Sequence, residues 1–300
     1  MKFPVFKNLQ LQEQFEREGF VKLKLFTSEQ IEKLKNYYAP LREAHEANIT
    51  FRSLYSSVET GSPELLIKLD LFVKDLIKEQ VESVFQNYQM LISSFLVKEH
   101  GDDTELLPHQ DLSFVDEPNF CSFNLWIPLQ PTDKNSGQLR VLKGSHRIKH
   151  TLRVVPEYPR QFVKFQDTIR DLFTNIETQI GDCVVINHSI LHGSSVNLTG
   201  KPRLAVILGI CSSSTDVHYH YMPNGDNTRI EKYKMKAEDY YYFKPDGRPL
   251  HAPLAGIIQH EFEHITKKEF KNWIKNDPHL GFISKMKLLY FKKLENPELK

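Results

Sequence analysis

Cysteine is scarce in this sequence. Three occur in 300 residues, Cys121, Cys183 and Cys211, far apart, odd in number and without a C-x-x-C spacing. A disulfide-stapled scaffold is therefore excluded, and a reducing, cytoplasmic setting is the expectation. Long apolar runs are also missing. Nothing approaches the roughly 18 residues of a membrane span, and the opening MKFPVFKNLQLQEQF has no apolar core of a leader segment. Charge of one sign is lacking too. The net charge of +1 leaves no electrostatic footprint for nucleic acid. Internal repeats and low-complexity linkers are absent, so residues 1–300 are read as one domain. Within it, 1–89 forms a helical and strand support, 90–212 the core and 213–300 a C-terminal extension.

What is present changes character near residue 90. Before it, residues 8–18 read as a helix ending at Gly19, a favourable residue just past a helix end. FVKLKLF (20–26) alternates like a strand. Thr27 and Gln30 form a capping box for a helix over 28–38. Residues 51–62 look irregular, and Val73, Leu76, Ile77, Val81, Val84 and Phe85 recur at helical spacing. From 90 onward the segments 91–99, 106–114, 120–130, 138–144, 181–189 and 203–212 are short, β-rich and divided by Gly, Pro, Asn and Asp turns. That texture argues an antiparallel sandwich or barrel, mostly β with flanking helices. DVHYHYMPNGDNTR (216–229) reads as a loop, and a helix is expected near 267–276, before a lysine-rich tail.

The chemistry centres on LLPHQDLSF (106–114). Read as a strand, it places His109 and Asp111, two residues apart, on one face. A second H-x-D, His100-Gly101-Asp102, lies in the turn-like EHGDD and is set aside. NHSILHGSSVNLTGKPR (187–203) offers a further histidine, His188 or His192. Two histidines and one carboxylate on one face, with other positions open, form the ligand set of non-haem Fe(II) oxygenases.

Three ordered blocks, LPHQDLSF, NSGQLRVLKGSHR and HGSSVNLTGKPRLA, together resemble the phytanoyl-CoA dioxygenase (PhyH) family of Fe(II)/2-oxoglutarate-dependent oxygenases. The resemblance implies a double-stranded β-helix, the cupin-like jelly roll. It implies metal ligation by His109, Asp111 and His192, and binding of the distal carboxylate of 2-oxoglutarate by Arg203 and Ser194. A guanidinium fork suits that carboxylate geometrically as well as electrostatically. Trp126 corresponds to a tryptophan lining the cosubstrate pocket, and Asn124, two residues earlier on the same strand face, is a further pocket candidate. The implied reaction uses Fe(II), 2-oxoglutarate and O2, releases succinate and CO2, and hydroxylates a small molecule. Relatives that halogenate lack the carboxylate that Asp111 supplies.

Other features compete with this reading. His260-Glu261-Phe262-Glu263-His264 matches the H-E-x-x-H signature of zinc hydrolases, and a jelly roll that binds a metal or ligand without turnover is a third class. His188 is either a ligand or a group orienting one. On an unbroken strand it would face the same way as His192. His146 reads as a turn residue and His218-x-His220 as a polar segment. Residues 51–62, Lys98, 113–118 and 216–229 are expected to shape the substrate side, where Lys98 and Arg229 could hold an anionic group, although solvent-exposed cations are the commoner outcome. A small polar or natural-product-like substrate is expected, with no nucleic-acid or membrane partner.

Overall fold

A computed structural model describes residues 4–42, 54–148, 152–156, 162, 165–223, 228–242, 247–259 and 265–277. Helix α1 (Leu9–Glu18) starts at Asn8, whose side chain accepts from the amides of Gln10 and Leu11, and stops at Gly19 with φ 80°. An L-side chain there would be strained, and its Cβ would lie 2.5 Å from the ring of His146. Strand β1 (Phe20–Lys24) follows. Helix α2 (Ser28–Tyr38) carries the full capping box of Thr27 and Gln30. The stretch expected to be irregular holds strand β2 (Leu54–Ser56) and a single helical turn, α3 (Ser57–Thr60). Ser62 then caps the long α4 (Pro63–Val84).

The β-rich half supplies β3 (Tyr88–Lys98), β4 (Leu106–His109), β5 (Ser122–Pro128), β6 (Leu139–Val141), helix α5 (Gln166–Leu172), β7 (Thr174–Ile176), β8 (Asp182–Asn187), β9 (His192–Ser194) and β10 (Arg203–Ser212). These strands form two antiparallel sheets. The larger has the order β1-β8-β5-β10-β3-β2 and the smaller β4-β9-β6-β7. The fold is a jelly roll, mostly β with flanking helices.

Alternation along each strand divides the residues between two cores. One face of the large sheet, with Phe95, Val97, Phe123, Leu125, Ile127, Val206 and Leu208, packs against Phe15 of α1, Ile31 and Leu34 of α2, and Leu69, Val73, Ile77 and Val81 of α4. Each such buried side chain contributes about 1.5–3 kcal/mol. Exposed pairs such as Lys33–Glu29 are screened by solvent and add little, so apolar burial holds the helices. The opposite face, with Trp126, Val184, Ile186 and Ala205, meets Leu139 and Val141 of the small sheet. The functional residues lie in this inter-sheet layer.

Further expectations need correction. Strand β4 ends at His109, and Asp111 lies beyond it, in a non-strand segment whose amide donates to the carbonyl of His188. The chain between β8 and β9 turns, so His188 and His192 do not share a continuous strand. The segment read as a loop after 216 contains strand β11 (Val217–Tyr221), which joins β12 (Arg229–Met235) and β13 (Leu254–Gln259) in a separate three-stranded sheet. Its Val, His and Tyr alternation is strand-compatible, but the polar histidines masked it. Helix α6 (Lys267–Asn276) occupies the span expected for it and packs Phe270 and Ile274 against Ile169 and Leu172 of α5. Among the described residues no helix is long and apolar enough to cross a membrane.

Candidate metal centre and cosubstrate pocket

His109 and His192 are register partners across β4 and β9, and their ring centroids are 4.2 Å apart. The Nδ1 atom of His109 lies 2.8 Å from the carbonyl of Leu107, and that of His192 lies 3.0 Å from the carbonyl of Ile190. A carbonyl only accepts, so both Nδ1 atoms carry the proton and both Nε2 lone pairs are free to ligate. Asp111 brings Oδ1 to 3.7 Å from Nε2 of His192 and 4.0 Å from Nε2 of His109. The ligand atoms of the three residues all lie within 4.8 Å of one another, and among the described residues no other group of three or more His, Cys, Asp or Glu side chains converges in this way.

Protonation states suit a cation. Burial, followed by the neighbouring His192, pushes His109 down to about 4, so its imidazole is neutral at physiological pH. Burial alone would raise Asp111, but the facing imidazoles of His192, His188 and His109 outweigh it and hold the carboxylate below its ordinary value. A neutral imidazole and an ionised carboxylate are the forms that bind metal. The side chains of His109 and Asp111 are partly exposed while His192 is buried. The centre is therefore approached from the side of the first two.

Asn124 reaches the carboxylate of the triad. From the inner face of β5 its Nδ2 donates to Asp111 Oδ2 at 2.9 Å. Two further supports left no mark in the sequence pattern. Arg153, 2% exposed, donates through Nε to the carbonyl of Asp111 and holds both oxygens of Glu117. Gln110 donates to the carbonyl of Ser189. The Arg153–Glu117 partners are 36 residues apart, and no local motif announces such a pair.

The residues expected to bind the cosubstrate are buried. Ser194 is two residues beyond His192 on the same face of β9. Arg203 opens β10, and its guanidinium lies 5.4 Å from the ring centroid of Trp126. The Nε of Arg203 and the Oγ of Ser194 are both buried without a hydrogen-bond partner. Such orphaned groups are costly, and each is a donor suited to a carboxylate. Burial pushes Arg203 down to about 10, so it remains cationic.

His188 is not one of the three converging ligands. It is 1% exposed, its Nδ1 contacts Ser122 Oγ at 2.9 Å, and its ring faces Phe114 at 4.8 Å. His220 donates from Nδ1 to the carbonyl of Ser113 at 3.0 Å, a structural tie rather than ligation. The H-E-x-x-H residues 260–264 lie outside the described residues. Lys98, expected in solvent, is 1% exposed.

Comparison with known proteins gives a consistent picture. A family model described as phytanoyl-CoA dioxygenase (PhyH) matches residues 15–205. Phytanoyl-CoA dioxygenase 1 of Oryza sativa subsp. japonica is 28% identical over 148 residues, covering 47% of this chain and 52% of the relative. Phytanoyl-CoA dioxygenase of Arabidopsis thaliana is 30% identical over 129 residues, 40% and 44% of the two chains. The matches thus span about half the length of these curated relatives. Among solved structures, HygX from Streptomyces hygroscopicus with nickel and 2-oxoglutarate bound superposes with a TM-score of 0.50 at 14% identity, over 68% of this chain and 86% of its own. At that identity the likeness speaks for the fold.

Proposed function

Because this chain belongs to the phytanoyl-CoA dioxygenase family, we propose that it is an Fe(II)- and 2-oxoglutarate-dependent dioxygenase that hydroxylates a small-molecule substrate. The observation that carries the reading is the convergence of His109, Asp111 and His192 within 4.8 Å, with the Nε of Arg203 and the Oγ of Ser194 buried and without a hydrogen-bond partner. We read residues 1–300 as one oxygenase domain, since β1 from the N-terminal part is hydrogen-bonded into the same sheet as β8.

In this reading His109 and His192 hold the metal through Nε2 and Asp111 through Oδ1. Arg203 and Ser194 take the distal carboxylate of 2-oxoglutarate, and Trp126 walls the pocket. Bound there, Fe(II) with 2-oxoglutarate and O2 supplies the oxidising power, with succinate and CO2 released and one oxygen atom delivered to the substrate. The chain's own groups do the positioning. The carbonyls of Leu107 and Ile190 fix the imidazole tautomers, Asn124 orients Asp111, and the Trp126–Arg203 wall keeps water from the carboxylate end. The Asp111 carboxylate occupies the position that halogenating relatives leave open, which favours hydroxylation. The substrate is read as a small polar or natural-product-like molecule, and the compartment as the cytoplasm.

The test is anaerobic addition of Fe(II) and 2-oxoglutarate to metal-free protein, followed by absorption spectroscopy. The weak visible charge-transfer band of a 2-oxo acid chelated at an open facial site is expected in wild type. It should be lost in His192→Ala and Arg203→Ala. Absence of the band in wild-type protein that demonstrably binds Fe(II) would refute the reading.

A further inference from the structure

His188 borders the metal centre without joining the triad. The amide of Asp111 donates to its carbonyl at 2.8 Å, and its own amide donates to the carbonyl of Ser122 at 3.1 Å. It therefore continues the β5–β8 ladder by one residue beyond Asn187. Alternation carries it onto the face of Val184 and Ile186, the inner face of the large sheet. Its Nδ1 lies 2.9 Å from Oγ of Ser122, two residues before Asn124. Nε2 is the far end of the ring, so it is directed off the sheet into the inter-sheet space.

The ring is 1% exposed, and among the described residues nothing bonds its Nε2, which is buried. A buried polar nitrogen without a partner costs stability and calls for an explanation. Apolar surface borders it. The ring of Phe114 lies 4.8 Å away between centroids, and Leu112 and Phe114, on the segment after Asp111, are half-buried. One polar atom set among apolar walls is the usual construction of a small-molecule site.

Ser122 sets the polarity of that atom. If its hydroxyl donates to Nδ1, Nε2 carries the proton and donates; if its hydroxyl accepts, Nε2 accepts. An alcohol hydroxyl matches both states, because it donates and accepts. A ring this buried, bonded through Nδ1 to a neutral hydroxyl, is a neutral imidazole, and an uncharged partner suits it.

We propose that His188 selects the substrate: its Nε2 holds a hydroxyl group of an otherwise apolar molecule beside the metal centre, with Leu112 and Phe114 against the carbon skeleton. The inference rests on the dioxygenase reading above and deepens it by naming the substrate class, an alcohol. Sites built to bond a hydroxyl reject the analogue that lacks it, since their own polar atom is then left unpaired.

Benzyl alcohol and toluene differ by one hydroxyl and serve as probes. Proton relaxation of each is measured with protein loaded with Co(II) and 2-oxoglutarate, against Zn(II)-loaded protein as the diamagnetic reference. Wild type should hold benzyl alcohol near the metal more tightly than toluene. His188→Phe should weaken benzyl alcohol about threefold to tenfold, the effect of one lost hydrogen bond, and leave toluene unchanged. His188→Leu serves if that variant does not fold, and His188→Gln, which keeps a donor and an acceptor, should retain part of the preference. Absence of a preference in wild type, the same preference in wild type and variant, or equal weakening of both probes overturns the assignment of His188 while leaving the dioxygenase reading intact. Failure of wild-type Co(II) protein to bind 2-oxoglutarate overturns both.

Discussion

Asn124 and Asp111 meet across the inter-sheet space, with the amide donating to Asp111 Oδ2 at 2.9 Å. That contact turns the other oxygen, Oδ1, toward Nε2 of His192 at 3.7 Å. A carboxylate on a segment outside any strand would otherwise rotate freely about its terminal torsion. Asn124→Ala should therefore weaken Co(II) or Fe(II) binding by roughly tenfold to a hundredfold, the usual effect of losing a group that orients a ligand. Metal titration followed by absorption checks this, and an unchanged affinity would remove Asn124 from the site.

Gly193 lies between His192 and Ser194 where β9 runs closest to β4. A Cβ at this position would sit 2.4 Å from the carbonyl oxygen of Leu106. Backbone has to move to admit it, at about 1–3 kcal/mol. Gly193→Ala should lower the thermal midpoint and, by separating His109 from His192, weaken metal binding more than an equally destabilising core substitution such as Val73→Ala. Parallel melting and metal titration of the two variants decides the point.

Arg153 and Glu117 are a buried pair, and removing one partner strands the other's charge. Arg153→Met alone should cost about 3–5 kcal/mol in denaturant unfolding. Combined with Glu117→Leu, much of that loss should return. Metal affinity should not return with it, because the carbonyl of Asp111 still lacks the Nε donor. Full recovery of metal binding in the double variant would confine the pair to a stabilising role.

Stability should fall on mild acidification. Burial pushes His188, His218 and His220 down to about 4 from an ordinary 6.5. Between those values the unfolded chain takes up protons that the folded protein refuses, so unfolding stability rises with pH across that window. The contribution is complete above about 6.5 and is lost as pH falls toward 4. Urea midpoints of the metal-free protein measured from pH 7 to pH 4.5 should decline steadily, and His220→Gln should flatten the slope.

Much of this architecture is written locally. Gly19, the Thr27–Gln30 box and the span of α6 follow from side chains within four residues of one another. The convergence of His109, Asp111 and His192 joins residues drawn from two of the ordered blocks, and the roles of Arg203 and Ser194 stay as proposed. What the chain hides is long-range. Arg153 finds Glu117 and Asp111 only after folding, and the facing of Lys98 and Arg203 is a product of register. The end of β4 at His109 was hidden for a related reason, since Asp111 is held by Asn124 and the amide link to His188 rather than by a strand ladder. Strand β11 was obscured because its histidines are buried by packing that composition does not disclose.

The register of His109 with His192 divides the centre into parts of unequal permanence. The gap between the two imidazoles follows from the spacing of neighbouring strands, about 4.8 Å, and is a fixed jaw that belongs to the backbone. Asp111 is a fitted insert, seated by side chains and loop contacts. Shortening it, as in Asp111→Gly, would leave the jaw standing and open a socket of one carboxylate's size. Added formate would then be expected to reseat the metal in proportion to its concentration. The same remedy would do nothing for His192→Ala, because the ligand lost there is a neutral imidazole and not a carboxylate.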